Sequence, residues 1–211
     1  MARNTGPQCR LCRAEGTKLY LKGDRCNTSK CPINKKRPAP GKGPRDRMKK
    51  KTDYAVQLRE KQKLKRIYGM LEKQFRLFFA RADRMQGKTG ENLIILLERR
   101  LDSMVYRLKF ASSRNQARQL VSHGHVSVNG QRVTIASYIV KVGDVIEIRE
   151  KSQKMQVVKE SLKEYTRSGV YPWLEVDPDA MRGKVIAMPK RSDVLDLADI
   201  QEQLVVELYS R

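Results

Sequence analysis

Apolar positions along this 211-residue chain repeat with two different periods. Over residues 91–110, Leu93, Leu97, Leu101, Met104, Val105 and Leu108 recur at three- and four-residue steps. That pattern predicts one amphipathic helix with those residues on its buried face. Ser113 and Gln116 form an S-x-x-Q capping box, which opens a second helix with Ala117, Leu120 and Val121 inward; Gly124 ends it. The period then drops to two. Residues 125–128 alternate as a strand, Asn129-Gly130 is a type I′ hairpin signal, and Val133 and Ile135 lie on the returning strand. Residues 138–142 and 145–148, joined by Gly143-Asp144, predict a further strand pair.

Upstream, Thr52 is an N-cap for a helix with Tyr54, Leu58, Leu64, Ile67 and Tyr68 as its apolar positions, ended or bent at Gly69. Leu71, Phe75, Phe78 and Phe79 continue at helical spacing as core residues. Lys61, Lys63, Lys65, Arg66 and Arg76 decorate the exposed faces, with some of them expected at phosphates. Downstream, residues 157–165 predict a short helix, Trp173 reads as buried packing and 185–187 as a short strand. From Ser192 the charge turns acidic. Ile200, Leu204 and Leu208 give an amphipathic tail that packs on the basic helices or faces a protein neighbour. The expected class is α+β: a metal-stapled arm (1–51), a helical domain (52–97) completed by a C-terminal helix (192–211), and a domain (98–191) of two helices packed on a small antiparallel sheet.

Charge changes the picture. The net charge is +22 and the pI about 10.1, a self-repulsion that calls for a polyanion, with nucleic acid the obvious candidate. Residues 1–51 hold sixteen Lys/Arg against three Asp/Glu, a net of +13. Prolines and glycines after Cys31 oppose regular structure there, so Lys42, Arg45, Arg47, Lys49, Lys50 and Lys51 form an arm expected to lie along phosphates. In the second helix Arg114 and Arg118 are four apart on one face. Arg114 occupies the first turn, where the helix dipole disfavours a cation unless an external anion attends it. Arg99, Arg100 and Arg107 fall off the apolar face and are expected helpers. His123 and His125 flank Gly124 without other nearby ligands; they read as polar surface, with a phosphate contact as the alternative.

Cys9, Cys12, Cys26 and Cys31 are spaced C-x2-C, thirteen residues, C-x4-C. Two close pairs can converge on one tetrahedral ion, and the segment has too few large apolar residues to hold itself together otherwise. A closed four-thiolate site suits one zinc ion or an iron–sulfur cluster, and the spacing does not separate them. The start of the chain has no apolar signal segment and no apolar run is long enough for a bilayer, which points to a cytoplasmic protein without a membrane partner. The GKTG run at 87–90 lacks the earlier glycine and preceding strand of a phosphate-binding loop, so nucleotide hydrolysis is excluded.

The segment SSRNQARQLVSHGHVSVNGQRV resembles the alpha-L RNA-binding motif, placed here at about 99–150. MARNTGP, DYAVQLREKQKLKRIYGMLEKQFR, TGENLIILLERRLD, PWLEV and LVVELYSR extend the resemblance over essentially the whole chain. The chain is identified as a member of the bacterial small-subunit ribosomal protein four family, in its cysteine-bearing branch. The resemblance implies a non-enzymatic, cytoplasmic constituent of the ribosome. It implies binding to small-subunit ribosomal RNA early in assembly, nucleation of the subunit body and a contribution to translational accuracy. It also implies a contact with ribosomal protein five, and basic residues before DYAVQLRE, here Arg47 and Lys50, lining the channel through which messenger RNA enters. Alpha-L motifs also precede pseudouridine synthase and methyltransferase domains, but no long unassigned segment or catalytic set is present here. Repression of its own messenger, known in some family members, is compatible with this reading.

Overall fold

The computed structural model describes residues 4–43, 50, 52–163 and 171–210. The fold is helical with one small antiparallel sheet. It divides into two compact units, one made of Met1–Asn92 with Asp196–Arg211 and the other of Leu93–Leu195.

The first unit starts with helix α1 (Gln8–Glu15), closed by Gly16 in the left-handed region, and a 3-10 turn at Gly23–Cys26. Helix α2 (Asp53–Ile67) is capped as predicted: Thr52 Oγ1 accepts from Ala55 N at 3.3 Å. After Gly69 comes α3 (Glu72–Asp83), then the start of α4 (Thr89–Glu98). Phe75 and Phe78 are buried with Leu64, Ile67 and Tyr68, whereas Tyr54 and Leu71 are exposed despite their helical spacing.

The acidic tail is helical only over Glu202–Tyr209, here named α9; two 3-10 turns, Arg191–Asp193 and Leu195–Leu197, precede it. Helix α9 packs along α2. Gln57 Nε2 donates to Glu207 at 3.0 Å, and the Tyr209 hydroxyl donates to Glu72 at 2.9 Å while its ring sits 4.5 Å from that of Phe79. The acidic helix thus covers a basic one.

In the second unit the predicted helix over 91–110 is broken. Helix α4 ends at Glu98, Arg100 turns extended (φ −66°, ψ 141°), and α5 (Leu101–Arg107) begins. The cause is long-range. Leu101 N donates to Tyr138 O at 2.8 Å, Asp102 N to Ala136 O at 3.2 Å, and Val140 N to Arg99 O at 2.9 Å. Residues 136–140 therefore take up the backbone groups that a continuous helix would use, and they do not pair with the strand after Gly143 as expected; only an isolated bridge joins Arg100 and Ile139.

Helix α6 (Arg114–Ser122) follows. Ser113 Oγ accepts from Gln116 N at 3.3 Å, but Gln116 Oε1 reaches back to Ser112 N and not to the cap residue. Then come β1 (Val126–Val128), β2 (Gln131–Arg132), β3 (Val145–Ile148), α7 (Glu150–Gln153), α8 (Gln156–Lys163), β4 (Leu174–Asp177) and β5 (Arg182–Val185). The five strands are ordered β2-β1-β3-β5-β4, each pair antiparallel. Asn129 (φ 51°) and Gly130 (φ 78°) both take the left-handed region, which the I′ turn requires.

One sheet face belongs to the core: Val126, Val128, Ile146, Ile148, Leu174 and Val185 are buried, as are Met104, Val105, Leu108, Ala117 and Val121 of the helices. Gly183 is needed for this packing, since a β-carbon there would lie 2.3 Å from Leu108 Cδ2. Trp173 is buried, as the sequence predicts.

Candidate nucleic-acid interface

The arginines expected at phosphate do not share one fate. Arg100 is fully buried and donates twice to Asp102, at 2.9 and 2.6 Å. Arg107 is likewise buried, bidentate on Glu98 at 2.9 and 2.6 Å, with its guanidinium 4.5 Å from the Tyr171 ring centroid. Neither guanidinium reaches solvent, so both are removed from the set of direct phosphate ligands. They are internal ion pairs that hold the α4–α5 junction. The helical pattern placed them off the apolar face without revealing that Glu98 and Asp102 wait for them.

Arg114 is half-buried. Its guanidinium lies 4.6 Å from the Tyr106 ring centroid and donates to Glu98 at 3.3 Å. Glu98 therefore ties Arg107 and Arg114 together and fixes the orientation of Arg114 at the first turn of α6. Arg118, four residues on, is buried at 4% exposure, so the two do not form an open pair. Arg99 is half-buried and donates to Val140 O at 3.0 Å.

The outer face of the sheet is charge-balanced. In register, Arg132 lies opposite Ser127, then Glu147, Arg182 and Asp177; the next row holds Lys184 opposite Glu175. Alternating signs across strands stabilise the sheet and leave no basic field there.

The basic helices of the first unit are also internally compensated. Glu15 of α1, with a fully buried side chain, accepts from Arg59 at 3.4 Å and from Arg66. Lys61 and Lys65 both bind Glu72, at 2.7 and 2.8 Å, and Lys63 binds Glu60. Burial alone would raise the Glu72 carboxyl, but hydrogen bonds from Lys61, Lys65 and Tyr209 outweigh it and hold it at about 2. Lys42 and Lys50 of the arm are exposed. Arg45, Arg47, Lys49 and Lys51 lie outside the described residues.

Of the cysteines, Cys12, Cys26 and Cys31 are buried and Cys9 is half-buried; none is in a disulfide. Burial pushes the Cys12 and Cys26 thiols up, and the mutual repulsion of the four cysteines adds to it. Four thiols this close can all ionise together only beside a cation, which is the chemistry a four-thiolate centre supplies. Among the described residues, however, no group of three or more His, Cys, Asp or Glu side chains is gathered closely enough to hold a metal as it stands. Also among them, no helix is long and apolar enough to cross a membrane.

Comparison with known proteins gives the frame for this geometry. Residues 3–98 match the family described as ribosomal protein S4/S9 N-terminal domain, and residues 99–146 match the S4 domain. The chain is 58% identical over 211 residues, covering all of both chains, to the small ribosomal subunit protein uS4 of Geotalea daltonii and to that of Geotalea uraniireducens. The protein of the same name from Thermoanaerobacter sp. (strain X514) is similar to the same extent. The chain belongs to the ribosomal protein S4 family. The S4 domain match covers the broken helix, α6, the I′ hairpin and β3. The arginines that sequence reasoning missed, Arg132 and Arg149, stand at the end of that hairpin and just after β3. Only the two-residue Asn-Gly turn, which sets residue 132 opposite 127, hinted that a cation is carried there.

Proposed function

We propose that this chain is a structural, non-enzymatic constituent of the small ribosomal subunit that binds its ribosomal RNA and nucleates the subunit body. The observation that carries this is full-length similarity at 58% to proteins named for that subunit, combined with a net charge of +22. The physical mechanism is phosphate neutralisation on a rigid scaffold. Helical RNA hides its base edges in a deep, narrow groove, so a folded RNA is read through backbone contours by a protein that holds cations at fixed spacing. The buried Glu98–Arg107 and Arg100–Asp102 pairs supply the rigidity. Arg114, and the arm around Lys42, Arg45, Lys49, Lys50 and Lys51, supply contacts.

The S4-family reading extends further. Arg47 and Lys50 would face messenger RNA, and ribosomal protein five of the same subunit would be a neighbour affecting accuracy. One zinc ion on Cys9, Cys12, Cys26 and Cys31 would staple the arm, with an iron–sulfur cluster as the alternative. Spacing, burial and the shared electrostatics of the thiols support this. Elemental analysis with an absorption spectrum separates the metals: a colourless protein with one equivalent of zinc supports the first, and visible absorption with iron overturns it.

The reading is tested by filter binding of the full chain to transcribed small-subunit ribosomal RNA and to an unrelated RNA of equal length at one salt concentration. Selective retention of the ribosomal RNA is expected. Equal affinity for both would reduce the protein to a non-specific polycation binder and overturn the reading.

A further inference from the structure

We infer that the turn joining α6 to β1 is a seat for an RNA phosphodiester, made by Arg132 and Arg149 around Gly124 with His123 and His125 beside it. The inference rests on the RNA-binding reading above and names the site within it. The first observation is which arginines are paired. Arg100, Arg107 and Arg114 are all engaged by carboxylates of the same unit. Among the described residues Arg132 and Arg149 form no ion pair, although Glu147 lies on β3 and Glu150 on α7 nearby.

The second is geometry. Gly124 has φ +75°, and the Arg132 guanidinium lies across it: a β-carbon there would be 2.2 Å from Nε and 2.3 Å from Nη2. Arg149 reaches the same residue, donating from Nη1 to Gly124 O at 3.3 Å, and its backbone N donates to His125 O at 3.0 Å. The two guanidiniums thus converge on one turn from β2 and from the end of β3. His123 caps α6, with its ring 6.0 Å from that of His125; His125 Nδ1 is 2.9 Å from Ser152 Oγ.

The third is the field at the site. Burial first, and then the charges of His123, Arg132 and Arg149, hold the His125 ring below its ordinary value, with no acid among the causes. A place where two forked donors converge and the positive field is uncompensated will take a phosphate oxygen pair. The glycine lets the backbone approach without a side chain in the way.

Arg132→Ala and Arg149→Ala test the seat against Arg182→Ala on the charge-balanced outer sheet face. Each is assayed in the full chain with transcribed small-subunit ribosomal RNA across a salt series, after circular dichroism confirms folding. Each seat variant is expected to weaken binding roughly tenfold and to flatten the log–log salt slope by about one unit, while Arg182→Ala leaves both unchanged. Gly124→Ala keeps every charge but displaces the Arg132 guanidinium, and it should also weaken binding; Arg132→Lys should recover only part of the loss. Unchanged slopes for both seat variants, with the wild type still selective, overturn the seat alone. An equal loss in Arg182→Ala overturns it too, because total charge would then explain the effect. A wild type without selectivity overturns the underlying reading instead.

Discussion

Replacing Glu98 with Leu should destabilise the second unit severely. The carboxylate is fully buried and accepts two hydrogen bonds from Arg107, whose side chain is also fully buried, and one from Arg114. Removal leaves an arginine with no route to water. Breaking such a pair from one side costs about 3–5 kcal/mol, far above the roughly 0–1 kcal/mol of an exposed pair. The Tyr171 hydroxyl and ring remain as partners of Arg107, which favours the lower end of that range. For a unit of this size about 3 kcal/mol corresponds to a fall of roughly 12 °C or more in Tm. The double variant Glu98→Leu/Arg107→Met removes both charges and keeps the volume, so it should sit close to wild type. Urea and thermal unfolding followed by far-ultraviolet circular dichroism give all three values. A Glu98→Leu loss below about 1 kcal/mol, or a double variant as poor as the sum of the singles, would refute the view that this buried pair holds the junction.

Other outcomes follow from the same packing. Gly183→Ala should lose about 1–3 kcal/mol, read by urea unfolding, because its methyl meets Leu108 at 2.3 Å. Ser113→Ala should lose about 1 kcal/mol through the α6 cap, with amide exchange rising first at the N-terminal turn of α6. Glu72 is held at about 2 against 4.5 unfolded, so the stability it lends is complete above 4.5 and disappears as pH falls toward 2. Acid unfolding of Glu72→Gln should accordingly be shallower in that window. Chelation of a bound metal should raise amide exchange across α1 and Gly23–Cys26 while exchange across α6 and β1–β3 stays unchanged.

Much of the fold is legible in the amino-acid sequence, through local devices: Thr52 and Ser113 as caps, Asn129-Gly130 as the turn, and the apolar stripes of α3 and α6. What sequence reasoning got wrong is decided by distant residues. Nothing near Arg100 shows that residues 136–140 come back to claim the backbone of Leu101 and Asp102 and so break the helix. Nor does helical spacing distinguish a cation facing solvent from one drawn inward, as Arg107 and Arg118 are. The exposed Tyr54 and Leu71 show the converse error. Arg132 and Arg149 escape a reading of the chain because their meeting at Gly124 depends on two strand registers at once.

Every functional statement depends on placement in the small subunit. A tagged copy of the full chain, expressed in a bacterium whose own copy is depleted, can be followed through a sucrose gradient. It is expected to sediment with small subunits at one copy per particle and to restore their yield. Tagged protein remaining at the top of the gradient, with particle yield still depressed, would contradict that placement.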